Sequence, residues 1–351
     1  MIDLNNISVQ KPDEKIYQKI RSNWDAVAKP LDGMGKFETM TARIGAILSD
    51  ERIDISKKAV IIMCADNGIV AEGISQSGQE VTLAVARSMA DMKSSVGRMA
   101  VAAKADTIPV DIGINSDEKI AGVLDCKIAK GTRNFAIEPA MTEEETIKAV
   151  ATGIELVKSH ASTGYRLIAT GEMGIGNTTT SSAIAAALLK CPAENVTGKG
   201  AGLDDSGLKR KINVIENAID KYNLYEKAAL EVLMTVGGLD IAGLTGVCIG
   251  GAVYHIPIVL DGVISMVAAL VAERIVPGTI DYMIASHRGK EPAVDLLCKE
   301  LGLSPVIDAS LALGEGTGAV MLFPLLDMAL SIYENSNTFS DISIEKYERF
   351  K

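Results

Sequence analysis

Five short runs, rich in β-branched residues, each stop at a turn, and long alanine-rich stretches fill the space between them. The runs are residues 59–64 (AVIIMC), 107–112 (TIPVDI), 166–170 (RLIAT), 256–260 (IPIVL) and 305–307 (PVI). Strands apolar at successive positions, and not at every second one, belong to a sheet covered on both faces. The stretches 83–103, 142–159, 178–189, 207–222 and 263–274 carry apolar residues at helical spacing. Strand alternating with helix builds right-handed βαβ units. The predicted fold class is therefore α/β, a parallel sheet flanked by helices.

The two ends read differently. Residues 1–30 and 325–351 are more charged and hold no clear strand, so they predict a small helical domain beside a large α/β catalytic domain over 31–324. At about 150 residues per domain, a chain of 351 residues agrees with one large domain carrying an appendage. Residues 241–259 contain no Lys, Arg, Asp or Glu but hold four glycines, His255 and Pro257. That composition predicts a buried glycine-rich helix or turn followed by a core strand, and no membrane span. No apolar segment of signal-peptide type opens the sequence, and a cytoplasmic protein is expected.

Charge and metal-binding residues narrow the function. Lys and Arg number 35 against 45 Asp and Glu, a net charge of −10, which argues against a nucleic-acid partner. The five cysteines are scattered with no C-x-x-C pair, and the three histidines are far apart. Neither a disulfide framework nor a metal site is expected, and no cofactor.

The most informative segment is 170–181, TGEMGIGNTTTS, directly after a strand. Gly174, Ile175 and Gly176 lead into a helix that opens at Asn177, Thr178 and Thr179, which gathers free backbone N–H groups around one point. With the helix dipole added, this is a cradle for a phosphate. No Gly-Lys-Ser/Thr follows, so it is not an NTPase loop, and G-x-G-x-x-G is absent. Glu172 would repel an anion in the cradle. It either caps the helix or faces another part of the ligand. A second glycine turn, LGEGTGA at 313–319, places Glu315 between Gly314 and Gly316, where backbone can approach a ligand closely. Two carboxylates on two strand-end turns suit proton abstraction and charge stabilisation. Ser75, Ser77 and Gln79 lie in a polar loop that lines a pocket or is plain surface. Gly200 and Gly202 precede Lys209, Arg210 and Lys211, which serve either a phosphate or a solvated helix face.

These segments, in this order, resemble the nicotinate-nucleotide:dimethylbenzimidazole phosphoribosyltransferase family. The matching stretches include KPLDGMGKFE (29–38), CADNGIVAEGIS (64–75), QEVT (79–82), GEMGIGNTT (171–179), GKGAGLDD (198–205), PIVLDGVIS (257–265) and LGEGTGA. The resemblance covers about residues 29–325. It implies a Rossmann-like parallel sheet, a small helical domain from both chain ends, and a dimer. It also implies transfer of 5-phosphoribose from nicotinate mononucleotide to an aromatic base, with release of nicotinate. By that analogy Glu315 is the general base and Glu172 positions the acceptor. The backbone of 174–179, together with Gly200, Gly202 and Lys211, would hold the 5′-phosphate, with Gly314 and Gly316 along the nucleotide. Ser75, Ser77, Gln79, Met173 and Leu313 would meet the acceptor. Ser77-Gly78 stands where the family has Tyr-Pro, and 289–294 departs from the pattern expected near nicotinate. Loss of a stacking aromatic opens the acceptor class to phenol or p-cresol, as in relatives built from two homologous subunits. It also admits a non-catalytic, nucleotide-binding subunit that completes a partner's site in a heterodimer.

Overall fold

In the computed structural model, which describes residues 4–200 and 202–349, six parallel strands form the central sheet. They are β1 (Lys58–Ala65), β2 (Asp106–Gly113), β3 (Leu124–Asp125), β4 (Leu167–Met173), β5 (Ile258–Leu260) and β6 (Met283–Ala285), in the order β3-β2-β1-β4-β5-β6. β1 is buried along its whole length, and its side chains divide by parity between two cores. Ala59, Ile61 and Met63 join one, and Val60, Ile62 and Cys64 join the other. That parity is why the run is apolar at every position.

On the first face lie α5 (Glu143–Ser162), α6 (Asn177–Leu189), α7 (Asp205–Tyr222), α8 (Ala229–Val236), α9 (Leu239–Val253) and α10 (Val263–Ile275). α5 opens with a full capping box, Thr142 and Glu145 each satisfying the other's backbone. Residues 239–253 form a helix buried on all sides, and 258–260 the expected core strand. A Cβ at Gly153 would lie 2.0 Å from the Gly243 carbonyl, and one at Gly246 2.0 Å from the Val150 carbonyl. Glycine thus lets α5 and α9 touch backbone to backbone.

The second face carries α1 (Glu14–Ala26), α2 (Lys36–Leu48), α3 (Glu80–Ala90), α4 (Ser95–Ala103) and α12 (Thr317–Asn335). The stretch 83–103, expected as one helix, is therefore two. Met92 adopts φ +55°, and the Ser94 hydroxyl caps the new start by accepting the Gly97 N–H at 3.1 Å. The run at 305–307 also differs from expectation. β8 (Ile307–Leu311) pairs with β7 (His287–Gly289) in a separate two-stranded sheet, and between them α11 (Ala293–Leu301) packs on the first core.

The chain ends meet on this side. α1 packs on α2, Val27 bridges Thr338, and Arg349 pairs with Asp25 and Asp32 at 2.8 Å each. Trp24 is fully buried and donates to Thr41 Oγ1 at 2.9 Å. α12 runs unbroken through residues 324 and 325, with Pro324 inside it. By length and composition it could cross a bilayer, yet Val320, Leu322, Phe323 and Leu326 are buried in the second core.

Candidate active site

The strand order reverses between β1 and β4. From β1 the chain winds outward to β2 and β3, and from β4 to β5 and β6. Open α/β sheets bind ligands beyond the carboxyl ends of the strands at such a point. A cavity of about 330 Å³ lies just there, walled by the loops after β4, β5 and β8 and by the 198–203 loop.

The β4 loop is shaped by its glycines. A Cβ on Gly174 would lie 2.3 Å from the Ala65 carbonyl, so only glycine passes beneath the end of β1. Gly176 takes φ +95° and caps α6 with no side-chain hydrogen bond. At the start of α6 the Asn177 N–H turns back to the Gly174 carbonyl at 3.2 Å and the Thr179 N–H to the Gly176 carbonyl at 2.9 Å, and the positive end of the helix, with Thr178, borders the cavity. Behind this cradle sits Lys211, fully buried, donating to Thr178 Oγ1 at 2.9 Å and to the Gly198 carbonyl at 3.2 Å. Burial brings its ammonium down to about 8, with Glu291 the opposing influence. Among the described residues no carboxylate forms an ion pair with it. A buried cation of that kind calls for an anionic ligand.

The cavity also has an acidic part. Glu172, paired across the sheet with Met63, is pushed up to about 8, first by burial and then by Asp240. Asn177 Nδ2 donates to Glu172 Oε2 and, at 3.1 Å, to Asp240 Oδ2, so one amide serves both carboxyls. Asp240 is likewise raised to about 6 by burial. Like charges this close resist joint ionisation. Asp261 lies on the wall, held up by burial, with Ala319 N–H donating to it at 3.0 Å and His287 Nδ1 4.0 Å away.

Glu315 arrives from the other turn. It takes φ +61° between Gly314 at +85° and Gly316 at +92°, three successive left-handed residues of which only glycine is at ease there. A Cβ on Gly171 would lie 2.5 Å from the Glu315 carbonyl, so the two turns are in backbone contact. Glu315 Oε2 accepts the Val96 N–H at 3.0 Å. The break between α3 and α4 thus presents a helix start to this carboxylate.

The cavity wall gathers Ser75, Glu172, Met173, Gly174, Ile175, Gly176, Asn177, Thr178, Gly200, Leu313, Gly314 and Glu315. Thr179 and Lys211 stand behind it. Gly316 packs on Gly171, and the Gly202 carbonyl accepts from Gln76 Nε2. Ser77 lies off the wall, and so does Gln79, whose amide is engaged by Asn67 and Asn115. Ala201 falls outside the described residues. Sequence reasoning missed Asp240, Asp261, His287 and Glu291 as site residues. Asp261 had a readable signal, an acid closing an apolar strand. Asp240 stands at the edge of the charge-free run.

Known proteins place this arrangement. A phosphoribosyltransferase family matches residues 9–344. The nicotinate-nucleotide–dimethylbenzimidazole phosphoribosyltransferase of Acetivibrio thermocellus is 42% identical over 329 residues, 94% of each chain. The chain belongs to this family. It is a phosphoribosyltransferase. The Clostridium perfringens protein of the same name is 40% identical over 95% of this chain and 92% of its own. CobT from Thermus thermophilus superimposes with a TM-score of 0.90 at 34% identity, covering 95% of this chain and all of that one. The parallel α/β architecture of this phosphoribosyltransferase is thus the one found in its solved relative.

Proposed function

We propose that this phosphoribosyltransferase moves the 5-phosphoribosyl group of nicotinate mononucleotide to a ring nitrogen of an aromatic base of the dimethylbenzimidazole type, in cobamide assembly. One observation carries the reading. A single cavity brings together a helix start backed by the buried Lys211 and two carboxyl groups on touching turns.

The donor phosphate lies in the cradle of Gly174 to Thr179, Gly200 and Gly202, with Lys211 neutralising it through a dry wall. The ribose C1′ then points toward Glu172 and Glu315, past Gly314 and Gly316. The acceptor nitrogen lone pair forms the bond to C1′ while the C1′–nicotinate bond breaks. Its electrons return to the pyridinium ring, which leaves neutral and needs no proton. The acceptor N–H proton passes to Glu315, the general base. Glu172, kept neutral by burial, positions the acceptor without adding a second charge. Met173, Leu313 and Ser75 line the acceptor end, with Ser77 and Gln79 farther out. Attack opposite nicotinate inverts C1′ and gives an α-glycoside.

The enzyme works as a cytoplasmic dimer in this reading. Nicotinate release by the purified chain, with dimethylbenzimidazole, adenine, phenol and p-cresol offered separately and products weighed by mass spectrometry, tests it. Release with a benzimidazole is expected. Release with a phenol alone reassigns the acceptor. No release from folded protein that binds the nucleotide marks a subunit that needs a homologous partner.

A further inference from the structure

Glu291 lies on the cavity wall in the loop between β7 and α11, and the transfer chemistry above gives it no part. Its carboxylate has no hydrogen bond or ion pair among the described residues. The charge it acts on is the buried Lys211, which it influences electrostatically without contact. A Cβ on Gly198 would fall 2.0 Å from Glu291 Oε2, so the bare glycine is what makes room for this carboxylate. Gly198 also offers its carbonyl to Lys211 at 3.2 Å, which sets Glu291 on the cavity wall beside a hydrogen-bond partner of the buried cation.

A carboxylate facing a cavity can only accept hydrogen bonds. Of the groups on a phosphoribosyl donor, the phosphate and the nicotinate carboxylate are anions and would be repelled. In the proposed reaction the acceptor base is held by Glu172 and Glu315. What remains are the ribose hydroxyls, which follow the phosphate along the ligand and can donate. We propose that Glu291 is a further binding residue of the donor site, its carboxylate accepting the 2′- and 3′-hydroxyls of the ribose. This rests on the reading that nicotinate mononucleotide occupies the cavity. The placement also gives specificity. A phosphomonoester without a diol meets Glu291 as an unrelieved negative charge, whereas a phosphoribosyl group satisfies it.

The test compares nicotinate mononucleotide with its 2′-deoxy and 3′-deoxy analogues on the wild type, Glu291→Ala and Gly198→Ala. The second variant removes no functional group but pushes the carboxylate off its seat, so the proposal does not depend on one protein folding. In the wild type, loss of the hydroxyl that Glu291 holds is expected to lower kcat/KM about 10- to 100-fold, the range for a hydrogen bond to a charged group. In both variants that penalty is expected to collapse to a few-fold at most. Inorganic phosphate and ribose 5-phosphate, competed against the donor, give a readout without turnover. Ribose 5-phosphate should lose its advantage over phosphate in both variants. If the deoxy penalty is the same in variants and wild type, or all donors suffer equally, Glu291 does not hold the ribose. If the wild type releases no nicotinate with any acceptor, and binds no nucleotide, the donor reading itself fails.

Discussion

Glu315 carries the sharpest expectation for a single residue. Its carboxylate is fixed by the Val96 N–H, so Glu315→Gln keeps the shape and loses the base. kcat should fall by about two to four orders of magnitude with the dissociation constant for nicotinate mononucleotide little changed. Single-turnover kinetics beside calorimetry decides it, and near-normal turnover would remove Glu315 from the mechanism. Lys211 adds a pH expectation. Burial holds its proton only to about 8, so donor affinity should decline as pH rises above about 8, and Lys211→Met should bind the donor weakly at every pH. A wild-type KM flat from pH 7 to 9.5 would contradict this. Glu172 and Glu315 stood out in the sequence because each sits in a glycine turn that lets backbone approach a ligand closely. Lys211, inside α7, was instead one of three cations that suited a phosphate or a solvated helix face equally. Asp240 and Glu291 did not stand out. Asp240 meets Glu172 across Asn177, far away in sequence, and Glu291 depends on the space left at Gly198. Both relations exist only after distant loops have met.

Among elements, the contact between the ends of β4 and the Glu315 turn sets the geometry of the site. A methyl group at Gly171 would meet the Glu315 carbonyl at 2.5 Å and Ile62 Cγ1 at 3.0 Å. Gly171→Ala should cost about 1–3 kcal/mol of stability, as overpacking does, and lower kcat by at least about tenfold by displacing the base. Urea melts and steady-state rates on one preparation separate the two effects, and unchanged kcat in a destabilised protein would show that the turn tolerates the shift. The sequence revealed most strands and helices because burial on both faces leaves continuous apolar runs. It concealed the interruption at 91–94, where helix-favouring residues flank Met92 in a left-handed conformation. The gain from that interruption is tertiary, since it aims the start of α4 at Glu315. β7 and β8 were also hidden as a pair. A three-residue strand carries too little pattern to show its partner.

At the level of the whole molecule, the buried acids set the response to pH. Glu172 is raised to about 8 and Asp240 to about 6, and Asp66 and Asp261 also rise, all first by burial. The native state therefore keeps protons that the unfolded chain has released above about pH 4. The stability this brings is complete below that point and is lost as pH climbs through 6 and 8. Asp25, half-buried, and Asp32, exposed, both paired with Arg349, are depressed instead, and their small contribution disappears only in strong acid. Tm should thus fall between pH 5 and 9, and Glu172→Gln should gain on the wild type across that range. A constant difference in Tm between the two would show that Glu172 is not the titrating group. Sedimentation of the wild type at micromolar concentration is expected to give a dimer.

The order of the sequence has a consequence for how the enzyme comes into being. Its central strand is made early, but the turn bearing the base, against which the end of β4 packs, lies close to the carboxyl end. Every contact that places Glu315 spans a long stretch of chain, and contacts of such separation form late. A chain in which residues 314–316 have not yet docked has no base in place. Catalysis therefore switches on only once the start of α12 has docked against β4 and α4.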